Sequence, residues 1–216
     1  MDFGFTGEQQ AFIDAVRAFL REECTPEVSA GPTPNVLYTQ ARLNFMKSIA
    51  ERGWLGIGWP KEYGGVERPD RLMQLLLNYE LQCAGGPGIG KFICFIGNTL
   101  LKNGSEKLKK ELLPRLATFS VDWGIAYTEP EAASDLASLQ TLAVPDGNGF
   151  SITGHKRFIS TAHTADFLWL AARTDTHVPK EQGITLFIVD AKAPGITIVP
   201  MYHSAGERSN EGGLYT

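Results

Sequence analysis

The stretch Val121-Asp122-Trp123-Gly124-Ile125-Ala126-Tyr127-Thr128-Glu129-Pro130-Glu131-Ala132-Ala133-Ser134-Asp135 marks the point where this chain changes character. Val121, Trp123, Ile125 and Tyr127 alternate with Asp122, Gly124 and Ala126, a period of two that specifies a strand. Pro130 cannot continue a ladder, so the strand must give way to a loop. Upstream of about residue 120 the period is helical instead. Thr6 and Gln9 have capping-box spacing and predict the start of a first helix. Phe12, Ile13, Val16, Phe19 and Leu20 then recur on one face. A Pro/Ser/Gly-rich stretch, 25–34, separates this helix from a second over 38–52, and a turn-rich passage follows over 53–65. Segments 69–84 and 87–103 are apolar on most sides, which predicts burial in a bundle. Ser105 is placed to cap a last helix with Leu108, Leu112 and Leu116 on one face.

Downstream, segments 139–144 and 150–153 flank Pro145-Asp146-Gly147-Asn148-Gly149, a hairpin signal. Further strands are expected over 167–172, 183–190 and 196–201. The expected class is α+β: an N-terminal all-α helical bundle domain, residues 1–120, followed by an antiparallel β-barrel or sandwich domain, residues 121–216.

Composition narrows the function classes. The 216 residues are 43% hydrophobic and 20% charged, ordinary globular values that argue against a wholly disordered chain. A net charge of −4 supplies no basic excess for nucleic acid. No apolar run reaches the roughly 20 residues of a membrane span, and the start MDFGFTGEQQ lacks a basic n-region before an apolar core. A soluble, cytoplasmic protein is expected. Cys24, Cys83 and Cys94 form no CxxC pair and read as reduced, buried thiols. The histidines, 155, 163, 177 and 203, lack metal-ligand spacing, so no metal site is expected. Residues Gly85 to Lys91 fit GxxxxGK, but Phe92 replaces the Mg²⁺-binding hydroxyl and a leucine-rich helix precedes them. A helix–helix junction explains these glycines better than a nucleotide loop.

Two segments could carry chemistry. In 127–135 the small residues 132–134 let a backbone approach closely, and free amides with the Thr128 and Ser134 hydroxyls suit a polar heterocycle or a phosphate. A solvated loop leaving a strand is the plainer reading. In Gly154-His155-Lys156-Arg157-Phe158-Ile159-Ser160-Thr161-Ala162, Phe158 and Ser160 fall two apart on one strand and so on one side. They could offer a stacking face and a hydrogen-bond donor to a planar cofactor, or be a core Phe beside an incidental Ser.

Taken together, YTEPEAASD and, about twenty residues later, GHKRFIS resemble the flavin-binding signature of acyl-CoA dehydrogenases, usually TEPxAGSD and GxKxWIT. GWLGIGWPKEYGG, NGSEKLKKELLPRLA and PGITIVP resemble the same family in the same order, so the likeness covers nearly the whole chain. It is strongest to the bacterial branch that acts on varied, sometimes bulky, acyl-CoA thioesters, as in fatty acid or sterol side-chain oxidation.

The resemblance implies a helical domain, a middle β domain and a C-terminal helical domain, of which the chain carries the first two, the second apparently incomplete. It implies FAD as cofactor. Tyr127 and Thr128 would contact the isoalloxazine, and Ala133 and Ser134 would lie against the pyrophosphate, with Ser134 also near the CoA thioester chain. Phe158 stands for the usual Trp against the flavin, and Ser160 for the Thr whose hydroxyl bonds near N5. Ala133 replaces a Gly, and Gly212 and Gly213 replace apolar strand residues.

The implied reaction is α,β-dehydrogenation of an acyl-CoA, a carboxylate removing the α-proton while the β-hydrogen leaves as hydride to the flavin. The family's base is a Glu of the C-terminal domain, so no catalytic residue is assigned here, and Glu129 and Asp135 read as loop-fixing groups. Implied partners are an acyl-CoA substrate, an electron-transfer flavoprotein as acceptor, and further subunits in a homo- or hetero-oligomer. The alternative is a non-catalytic flavin-fold subunit acting through association. Apolar faces built from Leu75, Leu76, Leu112 and Leu116 are expected to be exposed for a partner.

Overall fold

A computed structural model describes residues 4–30, 39–202 and 208–215, with Tyr202 and 208–215 described by backbone alone. The chain divides into two compact units, Met1–Ser120 and Val121–Thr216.

The first unit is helical. Thr6 caps α1 (Gly7–Glu23) through the full capping box: its hydroxyl accepts from the Gln9 amide at 3.2 Å, and the Gln9 side chain accepts from the Thr6 amide at 3.1 Å. Two otherwise orphaned donors are thereby satisfied. Ile13, Val16, Phe19 and Leu20 face inward, and Phe19 stacks on Phe45 of α3 (Gln40–Glu51) at 5.2 Å. Between them lies the one-turn α2 (Pro26–Ser29). The rest of the Pro-rich stretch and the expected start of the second helix at residue 38 lie outside the described residues.

Asp70 caps α4 (Arg71–Cys83), which buries Gln74, Leu77 and Leu81. Burial on most sides does not hold for this helix: Leu72, Leu75 and Tyr79 are exposed. Their spacing, 72, 75 and 79, is that of a second apolar stripe, which a leucine-rich segment can carry without burying it. The segment after it is a π-helix, Gly90–Gly97, running into α5 (Asn98–Asn103). At Gly97 a Cβ would lie 2.2 Å from the fully buried Trp59 ring, so only glycine lets that indole reach Asn98, to which its N–H donates at 2.9 Å.

Ser105 caps α6 (Glu106–Ala117) as expected. Leu112 and Leu116 are 2% and 1% exposed, so they belong to the core of this unit and not to an open face. Of the pair expected on α4, Leu75 is exposed and Leu76 half-buried. The three cysteines form no disulfide, but the expected burial does not hold: Cys24 and Cys94 are half-buried, and Cys83, at the end of α4, is exposed. Among the described residues no helix is long and apolar enough to cross a membrane.

Among its described residues the second unit holds eight strands: β1 (Trp123–Ala126), β2 (Leu142–Asp146), β3 (Gly149–Thr153), β4 (His155–Ser160), β5 (Phe167–Arg173), β6 (Ile184–Asp190), β7 (Thr197–Tyr202) and β8 (Arg208–Tyr215). One sheet runs β1-β5-β2-β3 with β6 also paired to β5, and the other runs β4-β8-β7. The hairpin forms as read, with Asp146 opposite Gly149.

The chain is α+β as expected, but the larger sheet of the second unit is mixed and not purely antiparallel. β1 runs parallel to β5, pairing Trp123 with Phe167 through Ala126 with Leu170. The hairpin and β4 intervene between these strands, so the chain re-enters the sheet from the same end. β1 is consequently enclosed on both faces: Trp123, Gly124 and Ala126 are all buried, and the alternation in sequence is not an inside–outside alternation.

Ala126, Ala143, Ala162, Ala165 and Ala172 surround Ile159, Leu168 and Leu170 in a core of small side chains. β8 remains a strand despite Gly212 and Gly213, because it is paired on both edges, Gly212 facing Ile159 of β4 and Pro200 of β7.

Candidate functional site

The loop after β1 and strand β4 meet at three points. The Lys156 ammonium donates to the Tyr127 carbonyl at 3.1 Å and to the Glu129 carboxylate at 2.8 Å, and the Arg157 amide donates to the Thr128 carbonyl at 2.8 Å. Glu129 and Lys156 are 4% and 1% exposed, a buried ion pair. The carboxylate also accepts from the Gln140 amide at 2.5 Å, the Thr141 amide at 2.9 Å and the Thr141 hydroxyl at 2.5 Å.

Burial pushes the Glu129 carboxyl up, but Lys156, Thr141 and the two amides outweigh it and hold it below its ordinary value. Burial likewise pulls the Lys156 ammonium down, with Glu129 partly restoring it. An acid so occupied is a latch and cannot lift a proton from carbon. Asp135, exposed, accepts from the Ser138 hydroxyl and from Lys180 at 3.3 Å, which hold its carboxyl low. Glu129 and Asp135, two of the three acids of the first segment, therefore fix the loop, while Glu131 is exposed.

Latching to β4 leaves the remaining motif groups facing out. Tyr127 is half-buried, its hydroxyl accepting from the Trp169 indole at 2.9 Å, and burial pushes its phenol up. Thr128 is half-buried, and Ala133, Ser134 and Ser160 are exposed. Among the described residues the hydroxyls of Thr128, Ser134 and Ser160 have no hydrogen-bond partner, in contrast to the paired Thr141 and Thr161.

Phe158 is 51% exposed while the adjoining Ile159 is fully buried, so Phe158 is not a core residue of the sheet. A register shift between Lys156 and Ile159 marks a bulge in β4, and Phe158 takes φ +56 there. Of the four non-glycine residues with left-handed φ among those described, three fall in the motif segments: Ala133 at +43, Phe158 at +56 and Thr161 at +66. Each costs on the order of 1–3 kcal/mol, and such strain concentrates where a ligand dictates the backbone.

Sequence reasoning assigned the outward groups and gave no role to the residues that aim them. Lys156, Thr141, Trp169 and Gly154 were missed. A lysine inside a strand whose next inward residue is Ile159 is the signal that could have found Lys156, since a buried lysine demands a partner.

An all-helical unit thus leads into a two-sheet β unit in which a strained hydroxyl-bearing loop is latched beside an outward aromatic, a two-domain α+β architecture. The family model "Acyl-CoA dehydrogenase, N-terminal domain" matches residues 6–120, and "Acyl-CoA dehydrogenase, middle domain" matches 124–215. The chain belongs to the acyl-CoA dehydrogenase family.

Among similar proteins, acyl-CoA dehydrogenase FadE29 of Mycobacterium tuberculosis is 39% identical over 79% of this chain and 44% of its own. FadE26 of the same organism is 33% identical over 95% of this chain and 53% of its own. The solved Tcur3481-Tcur3483 steroid ACAD superposes with a TM-score of 0.82 at 36% identity, covering 100% of this chain and 55% of that one. The chain thus spans about half the length of the relatives it matches.

Proposed function

We propose that the chain is the flavin- and acyl-CoA-binding portion of an FAD-dependent acyl-CoA dehydrogenase. The observation that carries this reading is the latched patch: three hydroxyls without a partner among the described residues and a half-exposed aromatic, drawn from two segments and held by Lys156. That donor set fits a flavin. Unpaired hydroxyls suit the heteroatom edge of the ring, and the small loop residues 132–134 suit a pyrophosphate. When bound, the flavin would supply the hydride acceptor for α,β-dehydrogenation.

Within this chain, Thr128 and Ser160 would orient the ring by hydrogen bonds, Tyr127 and Phe158 would pack on it, and Ala133 and Ser134 would hold the pyrophosphate. Ser134 would also meet the acyl-CoA chain. The α-proton must leave to a carboxylate within hydrogen-bond reach. Glu129 is saturated and Asp135 is tied to Ser138 and Lys180, so neither serves. The base would come from helical sequence beyond the two matched domains, and an electron-transfer flavoprotein would accept the electrons. Assembly with further subunits and a cytoplasmic setting complete this reading. The engagement of Glu129 and Asp135 also favours a second reading, a non-catalytic flavin-fold subunit that associates with a partner.

Four outcomes test these assignments. Reconstituted with FAD, the longest form of the protein should show a flavin absorption band; no band after reconstitution counts against the site. Thr128→Val with Ser160→Ala should loosen retention, each hydroxyl being worth about 0.5–1.5 kcal/mol as a neutral hydrogen bond. Retention equal to the parent's would remove both residues from the site.

Phe158→Ala should alter the bound flavin's spectrum and turnover while leaving apoprotein melting nearly unchanged. A buried Phe would instead cost about 3–5 kcal/mol of stability.

These 216 residues alone are expected to show no anaerobic flavin bleaching by a panel of acyl-CoAs. Supplying a C-terminal helical segment, in cis or as a separate chain, should restore it. Bleaching by the 216 residues alone would place the base within them and overturn the exclusion of Glu129 and Asp135.

A further inference from the structure

The bulge in β4 does more than expose Phe158. In a regular strand neighbouring side chains point to opposite faces, so with Lys156 and Ile159 both buried, one of the two intervening residues would be expected to turn inward. The bulge sets both Arg157 and Phe158 against one position of β8, and neither is buried. The Arg157 guanidinium lies 5.1 Å from the centre of the Phe158 ring. It has no carboxylate partner among the described residues, whereas Arg17, Lys156 and Lys180 each have one. Arg157 also occupies a position that the flavin pattern GxKxWIT leaves open, so its presence is a property of this chain.

We propose that Arg157 is a positioning charge that raises the reduction potential of the flavin packed on Phe158, an inference that rests on the flavin reading above. The oxidised ring is neutral; uptake of a hydride, two electrons with one proton, gives a reduced ring bearing one negative charge. A guanidinium held beside the ring by its contact with Phe158, with no carboxylate partner among the described residues, stabilises the reduced form and is nearly indifferent to the oxidised one. The aromatic face anchors the cation, and the backbone strain at Phe158 is the cost of bringing both side chains to the same surface.

The test uses the longest form of the protein, loaded with FAD, as parent, Arg157→Met and Arg157→Lys. Anaerobic reduction by dithionite against a reference dye gives the potential, and separate titrations give the affinity for oxidised and reduced flavin. Arg157→Met should weaken reduced-flavin binding about tenfold relative to oxidised, equal to a fall of about 30 mV for a two-electron couple. Added salt should shrink the difference between parent and variant, and Arg157→Lys should recover most of the parent's potential.

A potential unchanged in Arg157→Met, or equal weakening of both redox forms, overturns the proposal and leaves the flavin reading standing. Failure of the parent itself to bind FAD overturns the flavin reading, and this inference with it.

Discussion

Replacing Lys156 with methionine is expected to destabilise the β unit by about 3–5 kcal/mol, because it strands the buried Glu129 carboxylate without its cation. Methionine fills a similar volume, so the loss reports charge and not packing. Glu129→Gln in the same chain should recover much of it, since an amide oxygen can still accept from Thr141 and no charge remains buried. Urea unfolding of the two single variants and the double variant gives the coupling directly. A single variant within about 1 kcal/mol of the parent would mean that the pair contributes little.

Acid should act on the same group. Because the folded state holds the Glu129 carboxyl below its ordinary value, the unfolded chain binds the proton more tightly. The stability from Glu129 is therefore complete above the ordinary glutamate range, near 4.5, and disappears as pH falls through the lower folded value. In Glu129→Gln this part of the acid limb should vanish.

Gly154→Ala is expected to be nearly as damaging, though it adds a single carbon. A Cβ there would sit 2.2 Å from the Thr141 hydroxyl oxygen and 2.6 Å from its Cβ. Thr141 is buried and supports Glu129 through both its amide and its hydroxyl. Displacing it combines an overpacking cost of about 1–3 kcal/mol with loss of a hydrogen bond to a charged group, about 1.5–3 kcal/mol. Gly149→Ala serves as the control, because its nearest neighbour would be 3.9 Å away in ordinary contact. Equal melting temperatures for the two variants would refute the cradle described around Glu129.

Much of the helical unit could be read from sequence because its signals are local. The capping box at Thr6 and Gln9 and the cap at Ser105 lie three residues from the groups they satisfy, and both form as read. The hairpin was legible for the same reason. The parallel pairing of β1 with β5 joins residues 44 apart, Trp123 to Phe167, and no local pattern encodes it.

The exposed stripe of α4 was illegible for a different reason. Apolar content shows that a face could be buried, and only the packing of neighbours decides whether it is. In the site, the motifs mark the outward groups and also Gly154 and Lys156, but the roles of Gly154, Lys156 and Thr141 are set by contacts between segments distant in sequence.

The position of β8 between β4 and β7 fixes an order of events during synthesis. Strand β4, which carries Phe158 and Ser160, finds its partner in residues 208–215, roughly fifty residues later in the chain. Until those residues emerge, both β4 and β7 present open edges able to pair with another nascent chain. The helical unit can fold early from local contacts, while the strand bearing Phe158 waits for a late-translated neighbour. A ribosome stalled before residue 208 would release a chain with a folded helical unit and with β4 and β7 edges open to aggregation.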